Sequence, residues 1–119
     1  MTTVQGKHPA AAVNTVTLSG RISSAPALRE LPSGDPLVTF RIWVAREPEA
    51  AGGRKHSDWF DCAVWGGRTL RTCQGWGVGD TVEIRGQLRR RYYRVGGGTQ
   101  TRVEVLVLGG RRVRRGPVV

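Results

Sequence analysis

Cysteine, long apolar runs and acidic residues are scarce in this chain of 119 residues. Only Cys62 and Cys73 are present, and their spacing matches no C-x-x-C metal or redox motif, so we expect two buried thiols in a reducing compartment. No apolar run approaches the roughly 18 residues of a membrane span, and the N-terminus lacks the apolar core of a signal peptide. The sequence therefore predicts a cytoplasmic protein with no membrane partner.

Groups that carry out catalysis are equally scarce. His8 lies in a polar N-terminal segment, His56 lies beside Lys55 in a loop, and both are expected to be solvated. No serine, cysteine or pair of carboxylates stands in a catalytic setting. We predict that the protein is not an enzyme, and that it has no catalytic residue, no metal site and no cofactor.

Positive charge is abundant, and nearly all of it is arginine. The chain has 19 Lys and Arg against 9 Asp and Glu, a net charge of +10 and an isoelectric point near 11.4. Such a balance indicates a polyanionic partner. Arginine offers a planar fork for phosphates and a flat surface that stacks on bases, which favours nucleic acid over a bare membrane surface.

Alternating apolar and polar residues predict an all-β domain over residues 13–110, between a flexible arm (1–12) and a flexible Arg-rich tail (111–119). Leu88 and Val103 are expected to point inward, Gly20 to mark a bend, and Trp76 to fill the core. Five strands and one short helix between strands 3 and 4 predict a Greek-key OB-fold barrel. The strands are expected over Asn14–Ile22, Leu37–Ala45, Ser57–Gly66, Thr81–Tyr93 and Thr101–Leu108, and the helix over Arg68–Gln74.

The third strand, S-D-W-F-D-C-A-V-W-G, places Trp59 and Trp65 on one face, opposite a compact core stripe. Two large indoles on one face indicate either core packing or an aromatic platform. On the outward faces of other strands, Trp43 follows Arg41, and an Arg-rich stripe ends in Tyr93. A platform of rings among arginines is typical of single-stranded nucleic acid binding.

Four motifs in order resemble the bacterial single-stranded DNA-binding protein family. They are N-x-V-x-L-S-G-R-I at Asn14–Ile22, A-P-A-L-R-E-L-P-S-G at Ala25–Gly34, S-D-W-F-D-C-A-V-W-G at Ser57–Gly66 and G-D-T-V-E-I-R-G-Q-L-R-R-R at Gly79–Arg91. The resemblance implies sequence-independent binding and protection of single-stranded DNA in replication, recombination and repair, at the nucleoid.

The resemblance also assigns roles to individual residues. Trp59, Trp65 and Tyr93 stand where the family stacks bases. The cations of the DNA-binding surface are then Arg21, Arg41, Arg54, Lys55, Arg89 and Arg91. Family members are generally homotetramers, dimers of dimers that pair through the first strand, and this implies an oligomer interface at Phe60, Val16 and Leu18.

Two departures from the family pattern stand out. A stacking tryptophan common in the loop after the second strand is replaced by Glu47-Pro48-Glu49, and Trp43 is a candidate substitute. The family usually ends in an acidic peptide that recruits other proteins, whereas this sequence ends in an Arg-rich segment. Either the chain is a short form, in which recruitment through that peptide is absent, or the sequence is truncated.

Two other functions remain open from the residues alone. One is an OB-fold that docks on a replisome partner and has lost DNA binding. The other is an RNA-binding barrel with weak DNA binding, although the clustered aromatics of RNP-type strands are missing.

Overall fold

The computed structural model describes residues 11–48, 52 and 56–117. Five strands and one helix make up its regular structure, in the order that the sequence predicts. They are β1 (Val16–Glu30), β2 (Pro36–Ala45), β3 (Ser57–Trp65), α1 (Gly67–Gln74), β4 (Thr81–Val95) and β5 (Gly98–Arg114). Among these described residues, no helix is long and apolar enough to cross a membrane.

The five strands close into one barrel in the order β1-β2-β3-β5-β4. All neighbouring pairs are antiparallel except β3 and β5, which run parallel where the barrel closes. β1 belongs to both halves of the barrel, because its first part pairs with β4 and its second part pairs with β2. The predicted five-stranded OB-fold with a helix between strands 3 and 4 is confirmed.

The core follows the period-two pattern of the strands, since alternate residues turn into the barrel. Leu70 and Cys73 anchor α1 over one end of the barrel, and Trp76, which follows α1, is buried with its ring edge-on to Phe40 at 5.7 Å. Trp76 therefore fills the core as expected. The other core residues include Ile22, Val38, Ile42, Cys62, Val64, Val82, Ile84, Val105 and Val107.

Both cysteines are free, buried thiols. Burial raises the pKa of Cys73 to about 12 and raises the pKa of Cys62 as well. Both side chains therefore stay protonated near neutral pH and act as small apolar core residues.

Two glycines allow strands to cross at close range. A Cβ at Gly20 would overlap the backbone carbonyl of Trp43, and a Cβ at Gly86 would overlap that of Leu106. Gly20 lies where β1 passes from β4 to β2, which is the corner that the sequence predicts. No side chain larger than hydrogen fits at either crossing without moving the backbone.

The β4–β5 hairpin is longer than predicted and projects past the barrel. β1 pairs with β4 only as far as Gly86, so beyond that point β5 is the one partner of β4 within the described residues. Leu88 and Val103, which were expected to point inward, are 46% and 48% exposed. That expectation was wrong because the barrel no longer covers this face of the hairpin. The Asn14 side chain donates a hydrogen bond to the backbone carbonyl of Leu88 at 2.7 Å and accepts one from its backbone N–H at 2.8 Å. These bonds satisfy β4 just beyond the point where β1 stops pairing with it.

The C-terminal boundary also differs from the prediction. Residues 111–114, expected in a flexible tail, continue β5 and pair with the start of β4. Asp80 fixes the residues that follow β5, since its carboxylate accepts a hydrogen bond from the Gly116 backbone N–H at 2.7 Å. Residues 1–10 of the predicted arm and Val118–Val119 of the predicted tail lie outside the described residues.

Candidate nucleic-acid interface

Trp43 and Trp59 lie directly opposite each other on β2 and β3. Opposed residues in an antiparallel pair share one face of the sheet, so both indoles stand on the outer surface of the barrel. Trp43, Trp59 and Trp65 are 52%, 51% and 37% exposed, whereas core residues of the same strands are almost fully buried. These tryptophans therefore do not pack in the core.

A carboxylate joins the first part of this face to the β4–β5 hairpin. Asp61 accepts a hydrogen bond from Arg41 Nε at 2.9 Å and forms an ion pair with Arg102 at 3.5 Å. The guanidinium of Arg41 lies 4.0 Å from the ring centre of Trp59, and that of Arg102 lies 5.8 Å from the ring centre of Tyr93. Trp59 and Tyr93 are thus connected through one acid and two arginines.

A second carboxylate organises the region around Trp65. Glu104 is only 5% exposed and binds Arg89 at 2.8 Å, with Arg91 at 3.8 Å. The guanidinium of Arg89 lies 5.5 Å from the Trp65 ring centre. Glu104 therefore holds the guanidiniums of Arg89 and Arg91 beside the Trp65 ring.

An open cleft of about 430 Å³ runs beside Trp65 at the base of the hairpin. Its walls are apolar side chains and arginines, which suits a flat aromatic ligand next to an anion. The cleft is lined by Leu31, Leu37, Trp65, Arg89, Arg90, Arg91 and Tyr92.

The outer surface that carries Trp43, Trp59, Trp65 and Tyr93 is called the aromatic face below. Of the cations predicted from the sequence, Arg41, Arg89 and Arg91 lie on it, and Arg21 lies directly opposite Trp43 at its edge. Two further predicted cations, Arg54 and Lys55, lie outside the described residues.

The predicted interface residues Phe60, Val16 and Leu18 are each half-buried. Phe60 and Leu18 pack against the barrel core of their own chain.

Sequence reasoning missed Arg102 and Glu104 as members of this surface, and it gave no role to Asp61, although alternation along β3 places Asp61 on the same face as Trp59 and Trp65. Arg102 and Glu104 occupy the outward positions of β5, alternating with the predicted inward residues, and that pattern was the available signal. The ion pair between Asp61 on β3 and Arg102 on β5 depends on the parallel closure of the barrel. No local sequence pattern encodes that pairing.

A small OB barrel with exposed rings and guanidiniums on its outer face has the features typical of the nucleic-acid-binding class of OB-folds. Comparison with known proteins agrees with this class. The model of the Single-strand binding protein family matches residues 13–111, and the chain belongs to that family.

Curated relatives share about a quarter to a third of the aligned residues. Single-stranded DNA-binding protein 1 of Lactococcus lactis is 28% identical over 68% of this chain and 54% of its own length. Single-stranded DNA-binding protein 2 of Streptococcus agalactiae is 29% identical over 78% of this chain and 71% of its own length. Against the Lactococcus protein, the match therefore spans only about half of the relative.

A solved structure described as a Plasmodium falciparum SSB complex with ssDNA has the same fold. It superposes with a TM-score of 0.73 over 90% of this chain and 98% of its own, at 18% sequence identity.

Proposed function

We propose that this protein binds single-stranded DNA without regard to sequence and protects it during replication, recombination and repair. One observation carries the proposal: Trp59, Trp65 and Tyr93 share an outer face on which each ring has an arginine guanidinium within 4.0 to 5.8 Å. Family membership and the names of the relatives support the same ligand. A protein with this ligand would work at the nucleoid, in the cytoplasm.

The preference for single strands follows from what the rings can reach. Every base has a π-face, so an indole or phenol can stack on any base without reading its edge. In a duplex those faces are covered by the neighbouring base pairs. Stacking on OB-folds of this kind is worth about 1–3 kcal/mol per base, so three rings suffice for firm binding without base-edge contacts.

Arginines beside the rings supply the electrostatic part of binding. Arg41, Arg89, Arg91 and Arg102 surround the rings, and Arg21 stands at the edge of the face. Each phosphate that they neutralise releases counterions, so the affinity should fall with salt at a log–log slope of about −0.7 per phosphate. Trp43, exposed opposite Trp59, extends the stacking surface.

Self-association into a homotetramer, a dimer of dimers, is part of the proposal. Leu88 and Val103 lie exposed on the hairpin face that is turned away from the aromatic face. Apolar side chains gathered on a projecting hairpin favour burial against another chain. Val16, Leu18 and Phe60 are proposed to contribute where the first strands of two chains meet.

A fluorescence titration with oligo-dT tests the proposed function. The parent should lose tryptophan emission on binding, and Trp59→Ala and Trp65→Ala should each lose about 1–3 kcal/mol of binding free energy. Trp76→Phe is the matched control, because Trp76 is buried in the core and its loss should leave oligo-dT affinity unchanged. An RNA oligonucleotide of matched sequence tests the RNA-binding alternative in the same assay.

Two outcomes would contradict the proposal. One is parental affinity in both Trp59→Ala and Trp65→Ala, which would remove these rings from the binding surface. The other is tighter binding of the RNA than of the DNA, which would favour the RNA-binding barrel.

A further inference from the structure

A row of directly opposed residues leads from the aromatic face around the barrel to the C-terminal arginines. Trp59 lies opposite Trp43, and Trp43 lies opposite Arg21. Arg21 also lies opposite Thr81, which lies opposite Arg114. Opposed residues of antiparallel strands share one face, so all five lie on the outer surface of the barrel.

The row ends at an open groove of about 410 Å³, called the C-terminal groove below. The described residues that line it include three arginines and no acidic or aromatic residue. They are Arg21, Gly79, Thr81, Arg114, Arg115, Gly116 and Pro117.

Hydrogen bonds hold the C-terminal wall of the groove against the barrel. Asp80 is buried and accepts bonds from the backbone N–H of Gly116 at 2.7 Å and of Gly77 at 2.9 Å, and it pairs with Arg112 at 3.4 Å. The residues on either side of Arg115 are therefore fixed, by strand pairing at Arg114 and by the carboxylate at Gly116. The groove therefore has an ordered wall, although part of that wall lies beyond β5.

The arginines of this segment fall into two groups. Arg111 and Arg112 form ion pairs with Glu83 and Asp80, at 3.4 Å each. No acidic side chain in the described part of the chain lies within ion-pair distance of Arg114, Arg115 or Arg21. Three exposed cations without acidic partners at one groove form a site for an anion.

We propose that the C-terminal groove binds the phosphodiester backbone of the same DNA strand after it leaves Trp43 and Trp59. This inference rests on the proposed function. Trp43 and Arg114 are three strand spacings apart, or about 14 Å around the barrel, so Arg114 reaches phosphates beyond those held beside the rings. The groove contacts phosphates and leaves the bases unstacked, since it offers them no ring.

The lining favours a DNA backbone over an acidic peptide. Stable peptide recognition needs pockets for apolar anchor side chains, and apart from Pro117 the groove is lined by glycine, threonine and arginine. Register also makes the groove continuous with the tryptophan pair.

A double variant, Arg114→Gln with Arg115→Gln, tests the inference against a matched double variant on α1, Arg68→Gln with Arg71→Gln. Both remove two exposed arginines, so both change the net charge equally. Affinity for oligo-dT is measured by tryptophan quenching between about 50 and 200 mM salt, with oligomers of about 6 and about 16 nucleotides. The single variant Arg115→Gln, which lies beyond β5, is included in case loss of Arg114 disturbs the strand.

For the longer oligomer, the groove variant should have a log–log salt slope shallower by about 1.4 than the α1 variant, since each lost phosphate contact removes about 0.7. Over the fourfold range of salt this is about a sevenfold difference in affinity. Arg115→Gln alone should show half of that slope change. For the shorter oligomer the two double variants should agree, and maximal quenching should match the parent throughout because no ring has been removed.

Equal slopes for the two double variants on the longer oligomer would overturn the inference while leaving the proposed function intact, provided that the parent still quenches. Absence of binding by the parent would overturn both. A groove variant that keeps the parental slope on DNA but loses binding of a Glu-rich peptide would assign the groove to an acidic protein partner and would also overturn the inference.

Discussion

Asp61→Asn should make DNA binding more sensitive to salt. The Asp61 carboxylate is shared by Arg41 at 2.9 Å and Arg102 at 3.5 Å, so this group of three side chains carries one net positive charge. Asparagine keeps an oxygen that can accept the bond from Arg41 but removes the negative charge, and the net charge rises to two. A surface that binds a polyanion therefore gains about one effective phosphate contact.

The magnitude follows from counterion release. One further contact steepens the log–log slope by about 0.7, so affinity relative to the parent should rise between twofold and threefold as salt is lowered from about 200 to about 50 mM. Folding should change little, because the Arg41 and Arg102 side chains are 42% and 54% exposed and ion pairs of this kind contribute at most about 1 kcal/mol.

Salt-stepped quenching titrations with oligo-dT measure the effect, and Asp58→Asn is the control. Asp58 pairs with Arg46 at 2.8 Å, and its position on β3 turns it away from Trp59. The control changes net charge by the same amount off the aromatic face. If Asp61→Asn has the slope of Asp58→Asn, or a shallower slope than the parent, then Arg41 and Arg102 do not face phosphates and the placement of the DNA is refuted.

Two further predictions concern stability and are tested by urea unfolding. Gly86→Ala should lower the free energy of unfolding by about 3 kcal/mol or more, because its Cβ would overlap the Leu106 carbonyl. The control Gly97→Ala has open space around the new methyl group and should lower it by less than about 1 kcal/mol. Equal losses would contradict the close crossing at Gly86. Bonds from Gly116, Gly77 and Arg112 lower the pKa of Asp80 below its unfolded value of about 3.9, so its stabilisation should be present above that pH and be lost as the pH falls through the folded pKa. Asp80→Asn should therefore cost about 1–3 kcal/mol near neutral pH and little at about pH 2, and a cost independent of pH would contradict the assignment.

Much of the barrel and of the aromatic face could be predicted from the sequence, because strand faces are encoded locally. Alternation along β3 places Trp59 and Trp65 together, and alternation along β4 places Tyr93 on the same side as Arg89. Trp76 could be assigned to the core since it follows a short helix in a Gly-rich segment.

The features that could not be predicted depend on where one strand extends beyond its neighbours in the sheet. Leu88 and Val103 follow the inward period, yet they lie beyond the point where β1 pairs with β4, so no strand of the described part of the chain covers them. The strand pairing of residues 111–114 depends on the first residues of β4, which lie about thirty positions earlier in the chain. Periodicity defines the face of a residue, whereas only the register between strands defines what stands opposite it.

Carboxylates on the proposed DNA-binding surface are explained by the positions they impose on arginines. A free guanidinium on a flexible side chain loses rotamer entropy when it meets a phosphate, whereas Arg41 and Arg89 are already held by Asp61 and Glu104. Asp61 also keeps Arg41 over Trp59, where a cation–π contact is worth about 0.5–1 kcal/mol. In the proposed complex, a base that stacks on that side of the ring gains about 1–3 kcal/mol and can displace the guanidinium from the ring. Asp61 then keeps the displaced cation beside the ring, where it meets the phosphate of that nucleotide. On the proposed function, the Trp59 ring and the Arg41 cation therefore act one after the other on the same nucleotide, and Asp61 determines where Arg41 lies.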